Sequence, residues 1–151
     1  MTRLAGRSVI VTGGGHGIGK ACCKRLADEG ATVVIAELDG AAAEELERAI
    51  RDAGGKAVAI QTDVADEGSV ARMAEQVLAA YDRIDGLVNN ASIFATVPMS
   101  RVGLEQLDVA EWDRMMAVNL RGLFLSCRAV LPAMRQQGSG SIVNISSGTA
   151  L

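Results

Sequence analysis

Residues 8–19 read Ser8-Val9-Ile10-Val11-Thr12-Gly13-Gly14-Gly15-His16-Gly17-Ile18-Gly19. An apolar, β-branched run ends in a glycine cluster, and an apolar-periodic stretch follows. Strand, glycine turn and helix, in that order, form the context in which a backbone can approach a diphosphate. Glycine lacks Cβ, so it accepts positive φ and close contacts. The start of the following helix presents free N–H groups and a partial positive charge. The spacing is Gly13-x-x-x-Gly17-x-Gly19, not Gly-x-Gly-x-x-Gly. A tight strand-to-helix turn without a ligand would use the same residues, so the rest of the chain must decide.

Downstream, a helix is expected from Ile18 to Glu29, with Ile18, Ala21, Cys22, Leu26 and Ala27 on its buried face and Gly30 as its stop. The continuous run Thr32–Ala36 suits a strand buried on both sides. A second helix is expected over Ala41–Ala53, with Ala42, Leu46, Ala49, Ile50 and Ala53 inward, then a strand over Ala57–Gln61. Asp66 is placed to cap a third helix carrying Val70, Met73, Ala74, Val77, Leu78 and Tyr81. A short strand, Gly86–Asn89, leads into a loop from Ser92 to about Leu107. Asp108 and Glu111 resemble a capping box opening one long helix. Its apolar stripe is Trp112, Met115, Met116, Leu123, Phe124, Cys127, Val130 and Leu131, with a kink expected at Pro132. Gly138-Ser139-Gly140 ends it, and Ser141–Ile145 is the fifth strand.

Strands alternating with helices imply a parallel sheet covered on both faces, and right-handed crossovers leave the doubly wound Rossmann-type α/β fold as the natural topology. Neither a repeat nor a linker divides the chain, so residues 1–151 are read as one domain.

With 151 residues, 49% of them hydrophobic and 22% charged, the chain is of ordinary globular composition. Net charge is −3, with no basic block or aromatic ladder, which argues against nucleic acid and anionic membranes as partners. No apolar run reaches spanning length, and residues 1–6 contain no signal-peptide core, so a cytoplasmic location is expected. Cys22, Cys23 and Cys127 form neither a disulfide framework nor a metal-ligand pattern. His16 is the only histidine, which makes a Ser-His-Asp site hard to build.

Ligands of such folds bind beyond the carboxyl ends of the strands. Glu37 follows the second strand, eighteen positions after Gly19. A carboxylate there can accept both hydroxyls of an adenosine ribose and would repel a 2′-phosphate, which favours NAD over NADP. No arginine stands at 16 or 38 to bind that phosphate. Asp63 could take the adenine amino group while Val64 packs on the ring. Asn89-Asn90-Ala91 follow the fourth strand, where asparagines serve equally well to tie loops together. Ser146 and Ser147 follow the fifth; a hydroxyl there can orient a substrate oxygen without acting as a nucleophile. Asn119 is a poor residue for a helix interior, so either it is exposed or it marks a local distortion that holds a water. The loop from Ser92 to Met99 is mostly apolar and is expected to line a pocket for an uncharged substrate.

Together these pieces resemble the short-chain dehydrogenase/reductase family, over Val9 to Gly148. The family's Thr-Gly-x-x-x-Gly-x-Gly loop stands here as Thr12, Gly13, Gly17 and Gly19, and its Asp-Val as Asp63-Val64. Its Asn-Asn-Ala-Gly turn is Asn89-Asn90-Ala91 with Ser92 in place of the glycine. Its helix asparagine is Asn119, and its serine after the fifth strand is Ser147.

The resemblance implies reversible hydride transfer between a nicotinamide coenzyme and a small alcohol or ketone. Ser147 would hydrogen-bond the substrate oxygen, with Ser146 as the alternative by one register, and Asn119 would hold a water in the proton relay. Coenzyme contacts would come from Thr12, Gly13, Gly15, His16, Gly17, Ile18 and Gly19 of the loop, from Glu37 and Leu38, from Asp63 and Val64, and from Asn90, Ala91 and Ser92. NAD is expected, with NADP disfavoured, no metal, and a homo-oligomer when full length. One departure matters. The family's acid/base Tyr-x-x-x-Lys is absent from these 151 residues, and Tyr81 is followed four positions on by Asp85. The chain is therefore expected to be the front part of a longer enzyme, inactive alone. A non-catalytic nucleotide-binding module, or a fragment acting with a partner chain, is the other reading.

Overall fold

β1 (Ser8–Thr12) is buried along its whole length. In this computed structural model, which describes residues 2–93 and 100–147, β1 is the central strand of a parallel sheet in the order β3-β2-β1-β4-β5. β2 (Thr32–Glu37) pairs with one side of β1, placing Val33 beside Val9 and Ile35 beside Val11. β4 (Gly86–Asn89) pairs with the other side, placing Leu87 beside Ile10. β3 (Lys56–Gln61) extends the sheet beyond β2, and β5 (Ser141–Asn144) extends it beyond β4. The chain winds outward one way from β1 to β3, then crosses back to β4, so the order reverses between β1 and β4. The Rossmann-type parallel sheet expected above is the one observed.

Alternation along each strand sends side chains to opposite faces. Val9, Val11, Val33 and Ile35 meet α1 (Gly17–Asp28) and α2 (Gly40–Asp52) through Cys23, Ala27, Ala43, Leu46 and Ile50. Ile10, Val34 and Ile60 meet α3 (Glu67–Tyr81) and α5 (Gly122–Gln137) through Val70, Met73, Val77, Val130 and Met134. Each fully buried aliphatic of these two cores contributes about 1.5–3 kcal/mol.

The helices correct several expectations. α1 buries Gly19, Cys23 and Ala27, whereas Ile18 is 64% exposed, so its inward face is rotated toward Cys23 rather than Cys22. α2 buries Ala43 with Leu46 and Ile50, again one position from the expected Ala42. The single long helix is three joined pieces: α4 (Val109–Met116), a π-helical turn (Ala117–Arg121) and α5. Asp108 caps α4 by accepting from Ala110 N–H at 2.9 Å. Glu111 does not close a capping box; both its oxygens hold Ser100, whose main-chain N–H and hydroxyl reach them at 2.8 and 2.6 Å. α5 runs through Pro132 to Gln137, and the irregularity of this helical stretch lies at 117–121.

Trp112, Met116 and Phe124 are exposed, so only part of the expected apolar stripe is core. Val130 of that stripe is fully buried, and Leu125 and Met134, outside it, are buried beside it. Within the expected loop, Leu104–Gln106 form a 3-10 turn. Residues 94–99 of the apolar loop, and Gly148, lie outside the described residues. No helix among the described residues is long and apolar enough to cross a membrane.

Candidate active site

The carboxyl ends of all five strands open on one cleft of about 670 Å³, a volume typical of small-molecule sites. Its floor is the crevice between β1 and β4, where the strand order reverses. Glu37 and Leu38 from β2, with Thr62, Asp63 and Val64 after β3, wall one end. Ile145, Ser146 and Ser147 after β5, with Val118 and Asn119 of the π-helical turn, wall the other. Gly13, His16, Gly17, Ile18, Asn90, Ala91 and Ser92 lie between them.

The glycine turn does two kinds of work. Gly17 has φ +48°, and a side chain there would point into open space, so this position faces the cleft. Gly19 is packed in the opposite sense: a Cβ there would lie 2.0 Å from the Gly13 carbonyl oxygen. Gly15 is shut in against Glu37, and Thr12 is 1% exposed. The Thr12 hydroxyl accepts from the N–H groups of Asn90 and Ala91, each at 3.1 Å. Thr12, Gly15 and Gly19 therefore build the turn but stand behind the cleft wall, while Gly13, His16, Gly17 and Ile18 form its surface.

α1 begins differently from the helices around it. α2, α3 and α4 are each capped by an aspartate, Asp39, Asp66 and Asp108. The N-cap of α1 is His16, which makes no side-chain capping bond. The positive end of α1 thus faces the cleft with its first N–H groups uncovered by any side chain among the described residues, a disposition suited to an anion. His16 instead turns to Asp39, with Nε2 and Oδ2 at 3.3 Å. The Asp39 carboxyl is held below its usual range, chiefly by the N–H of Ala42. Behind the turn, burial pushes the Cys23 thiol up to about 12, so it is an inert packing group.

At the other strand ends, local hydrogen bonds fix the polar side chains. Asp63 Oδ1 accepts from Ala65 N–H at 2.8 Å, and Val64 is 8% exposed. Val64 packs where a Cβ on Gly122 would come within 2.9 Å, so it is partly core. The Asn90 amide donates to the carbonyls of Thr12 and Gly13, the loop-tying role weighed above. Asn119 lies inside the π-helical turn, and its Oδ1 accepts from Ile93 N–H. Asn119 is both exposed and within a distorted turn, so the two alternatives weighed for it coexist; its use as a clamp on the loop after β4 is in neither. Thr62, Val118 and Ile145 also line the cleft, and strand-end position alone could have singled out Thr62 and Ile145. Among the described residues no His, Cys, Asp or Glu cluster could hold a metal.

A doubly wound parallel sheet with a glycine turn at the switch point defines a Rossmann-type α/β protein. The family model described as short chain dehydrogenase matches residues 7–151, and the chain belongs to that family. It is 45% identical over 147 residues to a probable short-chain type dehydrogenase/reductase of Bradyrhizobium diazoefficiens, covering 97% of this chain and 52% of that protein. It is 40% identical over 147 residues to a cyclopentanol dehydrogenase of a Comamonas strain, covering 97% of this chain and 57% of that protein. Two solved structures share the fold closely. A metagenomic short-chain oxidoreductase in complex with NADP superposes with a TM-score of 0.89 at 40% identity, covering 96% of this chain and 64% of that one. A 7α-hydroxysteroid dehydrogenase complexed with NADH and 7-oxo glycochenodeoxycholic acid gives a TM-score of 0.88 at 31% identity, covering 99% and 56%. The chain spans about half the length of the curated relatives it matches.

Proposed function

We propose that this chain is the coenzyme-binding part of an oxidoreductase that transfers hydride reversibly between NAD(H) and a small alcohol or ketone. The observation that carries this reading is the uncapped start of α1, opening on a cleft at the strand-order reversal. A dinucleotide's diphosphate is the anion such a helix end accommodates, and Gly17 leaves room for it. A bound nicotinamide would supply the hydride acceptor or donor. The chain's own residues bind and orient: Glu37 and Leu38 at the adenosine ribose, Asp63 and Val64 at the adenine, Asn90, Ala91 and Ser92 along the middle. Ser147 holds the substrate oxygen, with Ser146 beside it, and Asn119 positions a water for proton transfer.

Relatives carry either coenzyme, NADP in one structure and NADH in another. The preference for NAD here rests on the Glu37 carboxylate, which offers an acceptor to ribose hydroxyls and repulsion to a 2′-phosphate. Residues 1–151 form one nucleotide-binding domain in this reading. They bind coenzyme but do not turn over alone, because they contain no Tyr-x-x-x-Lys and Tyr81 packs against the core from α3. The whole protein is proposed to act in the cytoplasm as a homo-oligomer.

The test is a fluorescence titration of purified full-length protein with NADH and with NADPH. Binding of NADH tighter by about tenfold, a difference of about 1.4 kcal/mol, supports the reading. Protein that is folded and titrates neither coenzyme sinks it.

A further inference from the structure

Glu37 is 7% exposed, and it does not simply point into the cleft. Its Oε2 accepts from Gly15 N–H at 3.0 Å, across 22 positions of chain. Its Oε1 accepts from Leu38 N–H at 2.9 Å and from Asp39 N–H at 3.3 Å. A carboxylate offers about four acceptor sites. Three are taken by main chain, and the one left is on Oε2. The glycine turn is shaped to this contact, since a Cβ on Gly15 would come within 2.9 Å of Glu37 Cγ and 3.1 Å of Oε2.

We propose that Glu37 is a positioning residue whose carboxylate clasps the glycine turn to the β2–α2 turn, and so places the diphosphate of either coenzyme. This role rests on the coenzyme-binding reading and adds to the ribose contact. Its consequence is specific. If Glu37 only read the ribose, neutralising it would remove repulsion and admit NADPH. As a clasp, it cannot be neutralised without loosening the turn that both coenzymes share. Glutamine shows why. Its amide keeps one acceptor oxygen and replaces the other with a donor NH₂, so either Gly15 or the Leu38–Asp39 pair loses its acceptor. The bonds lost are charge-assisted ones to N–H groups that have no other side-chain partner in the turn.

The experiment pairs coenzyme titration with amide hydrogen exchange on the full-length protein, unmutated and as Glu37→Gln. In the unmutated, coenzyme-free protein the Gly15 amide is expected to be protected; a freely exchanging Gly15 amide overturns the clasp and needs no variant. In Glu37→Gln, Gly15 exchange should rise by about tenfold while Val33 and Ile35 in β2 keep their rates. Affinity for NADH should fall about tenfold, and NADPH affinity should fall several-fold as well. NADPH affinity that holds or improves overturns the proposal, whatever NADH does. If the unmutated protein binds neither coenzyme, the proposed function fails, and Gly15 protection still decides the clasp.

Discussion

Asn119 Oδ1 accepts the main-chain N–H of Ile93 at 3.0 Å, so a π-helical turn holds the loop that follows β4. A π turn adds a residue to the helical ring and re-aims the side chains after it, and such turns recur at functional sites. Here it brings Val118 and Asn119 to the same cleft wall as Ile145 and Ser147. Asn119→Ala would leave the Ile93 N–H, from a residue 3% exposed, without its acceptor. We expect a loss of about 1–3 kcal/mol in urea unfolding, and faster exchange of the Ile93 amide than of strand amides. An unchanged Ile93 exchange rate would show that the contact does not hold in solution.

The amide of Asn90 donates to Thr12 at 3.2 Å and to Gly13 at 3.0 Å, joining the end of β4 to the glycine turn. Asn90→Ala should lower stability by about 1–3 kcal/mol and weaken coenzyme binding with it. Asn90→Asp should be worse, because an ionised carboxylate facing two carbonyls repels where the amide donated. Denaturant midpoints of the two variants, ranked side by side, check this order.

Gly19→Ala puts a methyl group where the Gly13 carbonyl oxygen now lies. Backbone must move to make room, and it moves at the turn proposed to hold the diphosphate. Coenzyme affinity should drop by at least about tenfold, while α1 itself loses nothing in helix propensity. Retained binding would mean that this turn is not where the diphosphate sits.

At the opposite end of the sheet, Asp85 accepts from Arg83 at 2.7 Å, from Arg7 at 2.6 Å and from Ser8 N–H at 3.0 Å. Burial alone would raise its carboxyl, but the bonds from Arg83, Arg7 and Ser8 outweigh burial and hold it well below the usual carboxylate range. An unfolded aspartate titrates at about 3.9. The stabilisation is therefore complete above that pH and is lost as pH falls below it toward the lower folded value. Asp85→Asn should be less stable than the unmutated protein at neutral pH, and the gap should narrow as the pH drops below about 4. A gap that does not change with pH in urea melts would assign the effect to packing rather than charge.

Under the proposed function, Ser147→Ala in the full-length protein should cut kcat by about a hundredfold or more while leaving the Kd for NADH within about twofold. Stopped-flow turnover and coenzyme titration on the same preparation separate the two. Unaltered turnover would move the substrate contact to Ser146 or abolish it.

Much of this molecule is legible in short-range pattern. Apolar runs of strand length, glycines after Val11, and aspartates at 66 and 108 before helical periodicity each state a local preference, and neighbours along the chain suffice to satisfy it. Element order then leaves the doubly wound sheet as the natural topology, because parallel strands need right-handed crossovers. Tertiary structure decided what depends on partners far away in sequence. Periodicity could not tell Cys22 from Cys23 as the inward residue of α1, since a helix face is selected by the sheet it meets. It could not show that Glu111 would hold Ser100, or that Glu37 would spend its lone pairs on Gly15 and the β2–α2 turn. It named Asn119 as an odd residue for a helix but not Ile93 as its partner. A hydrogen bond across 22 or 26 positions exists only once the strands have brought both ends together, and residue order alone does not record that distance.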